Sequence, residues 1–282
     1  MNRRQALVKT FGLFSATGLF LMPFFDKEEK KPYRDCVLCF DDCYQVEKFN
    51  STMKFADQLS DITGNKSRFT YFVNVSKLFT KIYGKTNIPV GLSKKEVSER
   101  RKIIEEAINQ GYEIGNHTIR HLSGKKWSEE QWFNELNEFD WCIKKLFGYK
   151  PVGFRAPYLD WNKNLYPALK KLNYLYDISI PGKFVEKRNG IIVKGVPDYI
   201  RNNGEKILGM DYNWDNEKVE TLELERMLVD ETKDKDLIFS MHFQEYKTED
   251  YYRIIKQFML KLAKSGQFRF PTMKEYIEKN YV

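Results

Sequence analysis

Short apolar runs alternate with longer amphipathic stretches along most of the chain, and this alternation constrains the fold more than any other feature. The stretches between the runs carry apolar side chains at the three- and four-residue spacing of helices. A strand followed by a helix, repeated about seven times, predicts parallel strands covered by helices. The predicted strands are residues 36–40, 68–73, 112–115, 152–155, 174–178, 191–196 and 237–241.

Serine residues mark the start of two predicted helices. Ser93 is followed by Glu96, and Ser128 is followed by Gln131, at the spacing of a capping box. Both serines precede amphipathic stretches, so we expect a helix to begin directly after each of them. The remaining predicted helices are residues 46–59, 250–264 and 272–279.

Residues 1–31 differ from the rest of the chain and predict an export signal. The pair Arg3-Arg4 resembles a twin-arginine signal, and a nearly uncharged stretch of signal-peptide length follows at residues 10–25. No A-x-A cleavage site follows, so we expect this stretch to remain as a membrane anchor; a buried N-terminal helix is the alternative. One domain is expected at residues 32–282, because 42% hydrophobic and 15% aromatic residues can supply a core.

Charge and cysteine content exclude two classes of protein. The formal net charge is +8, but no stretch interleaves clustered basic residues with aromatic residues, so the sequence predicts no nucleic-acid partner. The cysteines lack the regular spacing of a disulfide scaffold, and two of them lie in a predicted buried strand, where cysteine packs as a small apolar residue. We therefore expect structural thiols at Cys36, Cys39, Cys43 and Cys142.

Charged and imidazole side chains follow directly after several predicted strands. In a barrel of parallel strands the reactive groups lie at the carboxyl ends of several strands, whereas an open sheet concentrates them at one switch point, usually beside a glycine-rich turn. The chain has no G-x-G-x-x-G sequence. The sequence therefore predicts a barrel with a site at its mouth, formed by Asp41, Asp42, His117, Arg155 and His242.

Histidine is rare, and two of the three histidines form an H-x-x-x-H pair, His117 and His121. Two imidazoles at this spacing face one metal ion if the backbone between them is helical; a structural role is the alternative. One of the carboxylates of Asp41 and Asp42 could complete a zinc site, while the other faces the substrate as a general base. A polar turn or a helix N-cap is the alternative for the two aspartates.

Five short motifs resemble, in their order, those of the polysaccharide deacetylase family, also called carbohydrate esterase family 4. The resemblance covers residues 35–275. It implies an α/β fold, a distorted (β/α)7-type barrel, and the hydrolysis of acetyl groups on a polysaccharide. The motifs are Phe40-Asp41-Asp42, residues 116–121, Arg155-Ala156-Pro157-Tyr158, residues 211–214 and Met241-His242.

The resemblance also implies a role for each residue of the site. Asp41 would be the general base, Arg155 would pair with it and hold it ionised, and His242 would protonate the leaving amine. The Tyr158 N–H would stabilise the oxyanion together with a divalent metal ion, for which zinc is expected and cobalt, nickel or iron are alternatives. The metal ligands would be Asp42, His117 and His121, and the substrate pocket would be formed by Trp214, Asp211, Pro157 and Met241.

Three positions depart from the pattern of the family. Cys43 stands where the family has glycine, and cysteine adopts a positive φ only with strain. Asn213 stands where the family has aspartate; a neutral amide cannot stabilise the imidazolium of the acid, so Asp211 or Asp215 would have to replace it. Ser240 replaces a leucine and makes one wall of the pocket more polar.

The function expected from these residues is that of an exported, metal-dependent and monomeric deacetylase, which hydrolyses N-acetyl groups of an amino-sugar polymer. Its partner would be an acetylated polysaccharide such as peptidoglycan, a chitin-like polymer or an exopolysaccharide. An O-acetyl esterase on a glycan would use the same residues, and a non-catalytic glycan-binding module or a hydrolase of a small amide are further alternatives. A binding module has no need for a base, three metal ligands and an acid together, so we favour the enzyme.

Overall fold

The computed structural model describes residues 33–79, 81–82, 88–89, 92–196, 236–242 and 249–282, with the backbone alone for 81–82, 88–89, 242 and 249–255. The strands are β1 (Arg34–Asp41), β2 (Thr70–Val73), β3 (Lys81–Ile82), β4 (Ile88–Pro89), β5 (Glu113–Asn116), β6 (Gly153–Phe154), β7 (Tyr176–Asp177), β8 (Val185–Arg188), β9 (Ile191–Lys194), β10 (Leu237–His242) and β11 (Phe268–Arg269). The helices are α1 (Val46–Thr63), α2 (Lys94–Asn109), α3 (Glu129–Phe147), α4 (Leu165–Lys171), α5 (Glu249–Lys264) and α6 (Met273–Tyr281), with 3-10 turns at Val75–Leu78 and Pro157–Leu159. The predicted signal segment and the pocket residues Asp211 and Trp214 lie outside the described residues, as does Asn213.

Seven parallel strands form a curled sheet. Their order in the sheet is β10, β1, β2, β5, β6, β7 and β9, and every adjacent pair is parallel. β8 is antiparallel to β9 at one edge, β11 pairs with the start of β1, and β3 and β4 form a separate two-stranded sheet. The predicted α/β fold with a distorted (β/α)7-type barrel is confirmed.

Side chains alternate between the two faces of the central strand β1. Leu38 and Phe40 pack in the core that the sheet shares with α1 and α2. Val37 and Cys39 pack in a second core on the opposite face of the sheet. Because side chains on a strand have a period of two, Asp41 continues the second set, and β1 carries its carboxylate to the carboxyl end of that face.

Both predicted capping boxes are present. The Ser93 hydroxyl accepts a hydrogen bond from the Glu96 N–H, and the Glu96 carboxylate accepts one from the Ser93 N–H. Ser128 and Gln131 make the same two contacts at the start of α3. Each pair provides acceptors for N–H groups that the first helical turn leaves without partners, and this defines where α2 and α3 begin.

Several short elements are not predicted by the sequence, and for α4 and β8 the physical reason is clear. α4 has seven residues and contains Pro167, so it is too short to show a helical period and carries a residue that disfavours one. β8 is a mostly exposed edge strand of sequence Val-Glu-Lys-Arg, without an apolar run. Among the helices of the described residues, none combines the length and the apolar character that crossing a membrane requires.

The four cysteines are buried thiols without disulfide bonds, as predicted. Burial raises the pKa of Cys36, Cys39 and Cys43 well above the ordinary value of a thiol, and it raises the pKa of Cys142 to about 11. Such thiols stay neutral at neutral pH, whereas the thiolate is the form that reacts and binds metals. Their role is packing.

Candidate functional site

Asp41 and Asp42 lie at the carboxyl end of the central strand and differ in backbone conformation. Asp41 is the last residue of β1, is 2% exposed, and is the register partner of His242 on β10. Asp42 follows with a φ of 55°, in the left-handed region, which aspartate tolerates better than most residues. The strain expected at Cys43 is absent, because the positive φ lies at Asp42. The Cys43 thiol is buried and donates to the Phe40 carbonyl oxygen at 3.0 Å.

A loop after β5 carries His117 and His121, and its backbone is not helical. Thr118 has a φ of 65° and His121 a φ of 55°, both in the left-handed region. The helical turn that could have brought the two imidazoles together is therefore not present between them. The loop conformation does so instead, and the centroids of the two rings lie 5.0 Å apart.

The side chains of Asp42, His117 and His121 converge, and one donor atom from each lies within 4.8 Å of the others. His121 Nε2 is 3.2 Å from Asp42 Oδ1, and His117 Nε2 is 4.0 Å from the same oxygen. Atoms that bind a tetrahedral zinc ion at about 2.0–2.1 Å lie about 3.3–3.4 Å from one another. Shifts of less than about 1 Å would complete such a set, so these residues fit a divalent metal ion of this size.

His117 is held in the form that a metal ligand requires. Its Nδ1–H donates to the Arg155 carbonyl oxygen at 2.7 Å, so Nε2 carries the lone pair. This Nε2 is buried and has no hydrogen-bond partner among the described residues, a situation that costs about 1–3 kcal/mol. Burial also lowers the pKa of His117, which favours the neutral imidazole. A bound metal ion would give the buried nitrogen its partner.

Asp41 is paired with Arg155, which follows β6 directly. Arg155 is 8% exposed and donates from Nε to Asp41 Oδ2 at 2.6 Å. Its Nη1 donates to the Ile178 carbonyl oxygen at 2.6 Å, which fixes the guanidinium group. A guanidinium beside a carboxylate favours the ionised form of the carboxylate. This arrangement leaves Asp41 able to accept a proton, whereas Asp42 lies with the two histidines that could hold a metal ion.

The segment after Arg155 forms a tight turn beside His121. Pro157 is buried at the start of this turn, and Tyr158 and Leu159 have φ values of 57° and 58°. The Tyr158 side chain is 63% exposed, and its ring centroid lies 4.6 Å from that of His121. The two hydrogen bonds that close the turn do not use the Tyr158 N–H. Tyr158 therefore lies beside the side chains that could hold a metal ion, and the resemblance to the family implies an oxyanion donor at this residue.

Ser179 and Asp177 support this turn from the segment that begins with β7, and the sequence analysis assigned them no role. Ser179 Oγ accepts a hydrogen bond from the Ala156 N–H at 2.8 Å. The Ser179 N–H and hydroxyl both donate to Asp177 Oδ1. Asp177 is fully buried, and burial raises its pKa to about 6. The sequence offered one signal for this pair, since residues 176–179 resemble a segment that follows the third motif in the family.

Side-chain alternation on β10 corrects one predicted pocket residue. Met241 is 3% exposed and packs in the core between the sheet and the helices. Ile238, three residues earlier, packs in the core on the other face of the sheet. Met241 therefore points away from the face that carries Asp41, and we leave it out of the substrate pocket. The acid predicted from the sequence, His242, is described by its backbone alone.

Comparison with known protein sequences identifies the family. The sequence profile described as polysaccharide deacetylase matches residues 28–176, which is more than half of the 282-residue chain. A peptidoglycan-N-acetylglucosamine deacetylase from Bacillus cereus is 34% identical over 56 residues, which make up 20% of this chain and 20% of that protein. The matched segment thus spans about a fifth of the length of this curated relative.

Comparison with solved structures shows the same fold. The Xyl-CE4 domain of a multidomain xylanase from the hindgut metagenome of Trinervitermes trinervoides has a TM-score of 0.54 and 17% identity, over 89% of this chain and 92% of that chain. A family 4 acetyl xylan esterase from Clostridium thermocellum, in complex with a cobalt ion, has a TM-score of 0.54 and 16% identity, over 87% of this chain and 91% of that chain. At these identities the two structures establish the fold alone.

The matched segment contains most of the site. Residues 28–176 include the base candidate Asp41, its partner Arg155 and all three side chains that could hold a metal ion. The sequence match, the curled parallel sheet and the arrangement of these residues agree with one another. The chain belongs to the polysaccharide deacetylase family, whose members are hydrolases that act on acetylated polysaccharides.

Proposed function

We propose that this chain is a metal-dependent deacetylase that removes N-acetyl groups from an amino-sugar polymer. The observation that carries the proposal is the convergence of Asp42, His117 and His121 beside the buried pair of Asp41 and Arg155. Burying two charged side chains costs free energy, and a protein that only binds glycans gains nothing from doing so next to three metal donors. Membership of the family supports the same conclusion.

A divalent metal ion held by Asp42, His117 and His121 would polarise the acetyl carbonyl group and activate water. We propose zinc, because two imidazoles and one carboxylate are a donor set typical of catalytic zinc sites that keep an open position. Cobalt suits the same donors, and the related acetyl xylan esterase was solved with a cobalt ion. Nickel and iron are further alternatives with these ligands.

The chain's own groups would carry out the proton transfers. Asp41, held by Arg155, accepts a proton from the attacking water, whose oxygen forms the new bond to the acetyl carbon. The Tyr158 N–H donates to the acetyl oxygen as negative charge develops there. His242, the register partner of Asp41, gives a proton to the amine nitrogen as the carbon–nitrogen bond breaks. The products are acetate and a free amino sugar.

The proposed substrate is a cell-wall or extracellular polymer that contains N-acetylated amino sugars. The Bacillus cereus relative is named for the N-acetylglucosamine of peptidoglycan, which supports an N-acetyl substrate here. The formal net charge of +8 would help the protein to approach an anionic polymer. The acetyl xylan esterase shares the fold, so an O-acetyl esterase is the second candidate.

Acetate release from three polymers, measured in parallel, tests the proposed function. We expect zinc- or cobalt-loaded protein to release acetate from N-acetylated chitooligomers or peptidoglycan and not from acetylated xylan. The control is the same protein after removal of the metal with a chelator, which should be inactive because the carbonyl group is no longer polarised. Release from xylan alone would establish the O-acetyl esterase instead. Metal-loaded protein that releases no acetate from any polymer would contradict the proposal and favour a binding module.

We also propose that the catalytic domain, residues 32–282, acts as a monomer outside the cytoplasm. The Arg3-Arg4 pair would direct export, and residues 10–25 would tether the domain to the membrane. Replacing both arginines by lysine should leave the full chain in the cytoplasmic fraction, because a twin-arginine signal requires the pair. Lys30→Gln with Lys31→Gln is the control and should not alter fractionation. Normal export of the double-lysine variant would contradict the signal.

A further inference from the structure

The loop that carries His121 contains two left-handed residues, and this conformation needs support. Thr118, with a φ of 65°, is β-branched, and such a residue adopts this conformation only when its surroundings impose it. Two contacts inside the segment contribute. The Thr118 N–H donates to Asn116 Oδ1 at 2.7 Å, and the His121 N–H donates to Thr118 Oγ1 at 3.1 Å.

The other two amides of the loop depend on Glu135 of α3. The N–H groups of Ile119 and Arg120 both donate to Glu135 Oε1, at 3.0 and 3.2 Å. The Arg120 side chain donates from Nη2 to Glu135 Oε2 at 2.7 Å. Glu135 is 2% exposed, and a carboxylate is buried at acceptable cost only when its oxygens are hydrogen-bonded. One buried carboxylate outside the loop thus accepts from two of its four consecutive N–H groups.

We propose that Glu135 is a positioning residue for the metal centre, which holds the loop so that the His121 imidazole points at Asp42. It acts through Ile119 and Arg120, the two residues directly before His121. The inference rests on the proposed function, since it takes the metal centre as given.

Removal of the Glu135 carboxylate should displace the His121 imidazole and leave the other two proposed ligands, Asp42 and His117, in place. The N–H groups of Ile119 and Arg120 would be left without an acceptor, so the loop would move until they reach one, and His121 would move with it. The backbone of His117 is held by a separate contact, because its backbone N–H donates to the Val73 carbonyl oxygen at 3.1 Å. Metal binding should therefore weaken and change in geometry, and should not disappear.

Cobalt titration followed by visible absorption tests this inference, because the spectrum reports both affinity and ligand geometry. We expect Glu135→Ala to bind cobalt about 10–100-fold more weakly than the wild type, with a changed spectrum. Glu135→Gln should lie between the two, since its amide oxygen can still accept from both N–H groups. Glu130→Gln removes an exposed carboxylate from the first turn of the same helix and should match the wild type.

Circular dichroism and thermal melting of the metal-free proteins show whether the variants fold. Wild-type affinity and spectrum in both Glu135 variants would overturn the inference. Loss of folding in both would also overturn it, because Glu135 would then support the whole domain and not this loop. A wild-type protein that binds no cobalt would contradict both the proposed metal centre and this inference. Wild-type protein that binds cobalt but releases no acetate would contradict the proposed function, and the titrations would still decide the role of Glu135.

Discussion

Replacing His117 or Asp42 by alanine will remove both bound metal and acetate release. Each substitution deletes one of the three donor atoms that lie within 4.8 Å of one another. The loss of affinity should exceed the ~10–100-fold that is typical when a residue supporting a ligand is changed, because here the ligand itself is lost. Elemental analysis after dialysis, together with acetate release from N-acetylated chitooligomers, measures both effects.

His242→Asn is the matched control for the loss of an imidazole. His242 is proposed to transfer a proton and not to bind the metal, so this variant should retain stoichiometric metal while its turnover slows. Stoichiometric metal in either His117→Ala or Asp42→Ala would show that the ligands are assigned wrongly. A His242→Asn protein that loses its metal would move His242 into the ligand set.

The strand that delivers the aspartates could be predicted because the information is local. β1 is buried along nearly its whole length, and residues 36–40 within it form one apolar run that ends directly before Asp41 and Asp42. The capping boxes at Ser93 and Ser128 are local as well, since each contact joins residues three positions apart. The gathering of polar residues at the carboxyl ends of parallel strands then follows from the topology.

The conformation of the histidine loop could not be predicted, because distant residues determine it. The spacing of His117 and His121 fits a helical turn and also fits the left-handed loop that the structure contains. The acceptors that favour the loop belong to Glu135, which lies 15 positions beyond Arg120. The carbonyl group that orients His117 belongs to Arg155, 38 positions away. No pattern within the motif contains this information.

The sequence did contain the information that excludes Met241 from the substrate pocket. Residues on a strand alternate between its faces, so Met241 shares a face with Phe239 and lies opposite Ile238. The structure places Met241 and Phe239 in the core beneath the helices and Ile238 in the other core. The resemblance to the family suggested a pocket role from the neighbouring histidine, whereas the period of the strand excludes it.

Replacing Asp41 by asparagine will separate proton transfer from metal binding. Asparagine has the same shape, and its amide oxygen can still accept the hydrogen bond from Arg155 Nε, so the fold and the metal-binding side chains should persist. The amide is neutral and cannot serve as a base. Turnover should therefore fall at least ~100-fold, the lower end of the usual contribution of a positioned base, while metal content stays unchanged. Steady-state kinetics and elemental analysis of the same preparation measure the two quantities.

The pH dependence of turnover gives this substitution a second readout. Wild-type activity should follow a bell, with the acid limb due to Asp41 and the alkaline limb due to His242. Interacting groups share their apparent pKa values, so the limbs must be assigned by comparing variants and not from their midpoints. Asp41→Asn should lose the acid limb, and Asp61→Asn, which changes an exposed aspartate of α1, should retain the whole profile. If Asp41→Asn kept its metal, both limbs and turnover within about tenfold of the wild type, another group would be the base. The buried pair of Asp41 and Arg155 would then serve the fold alone.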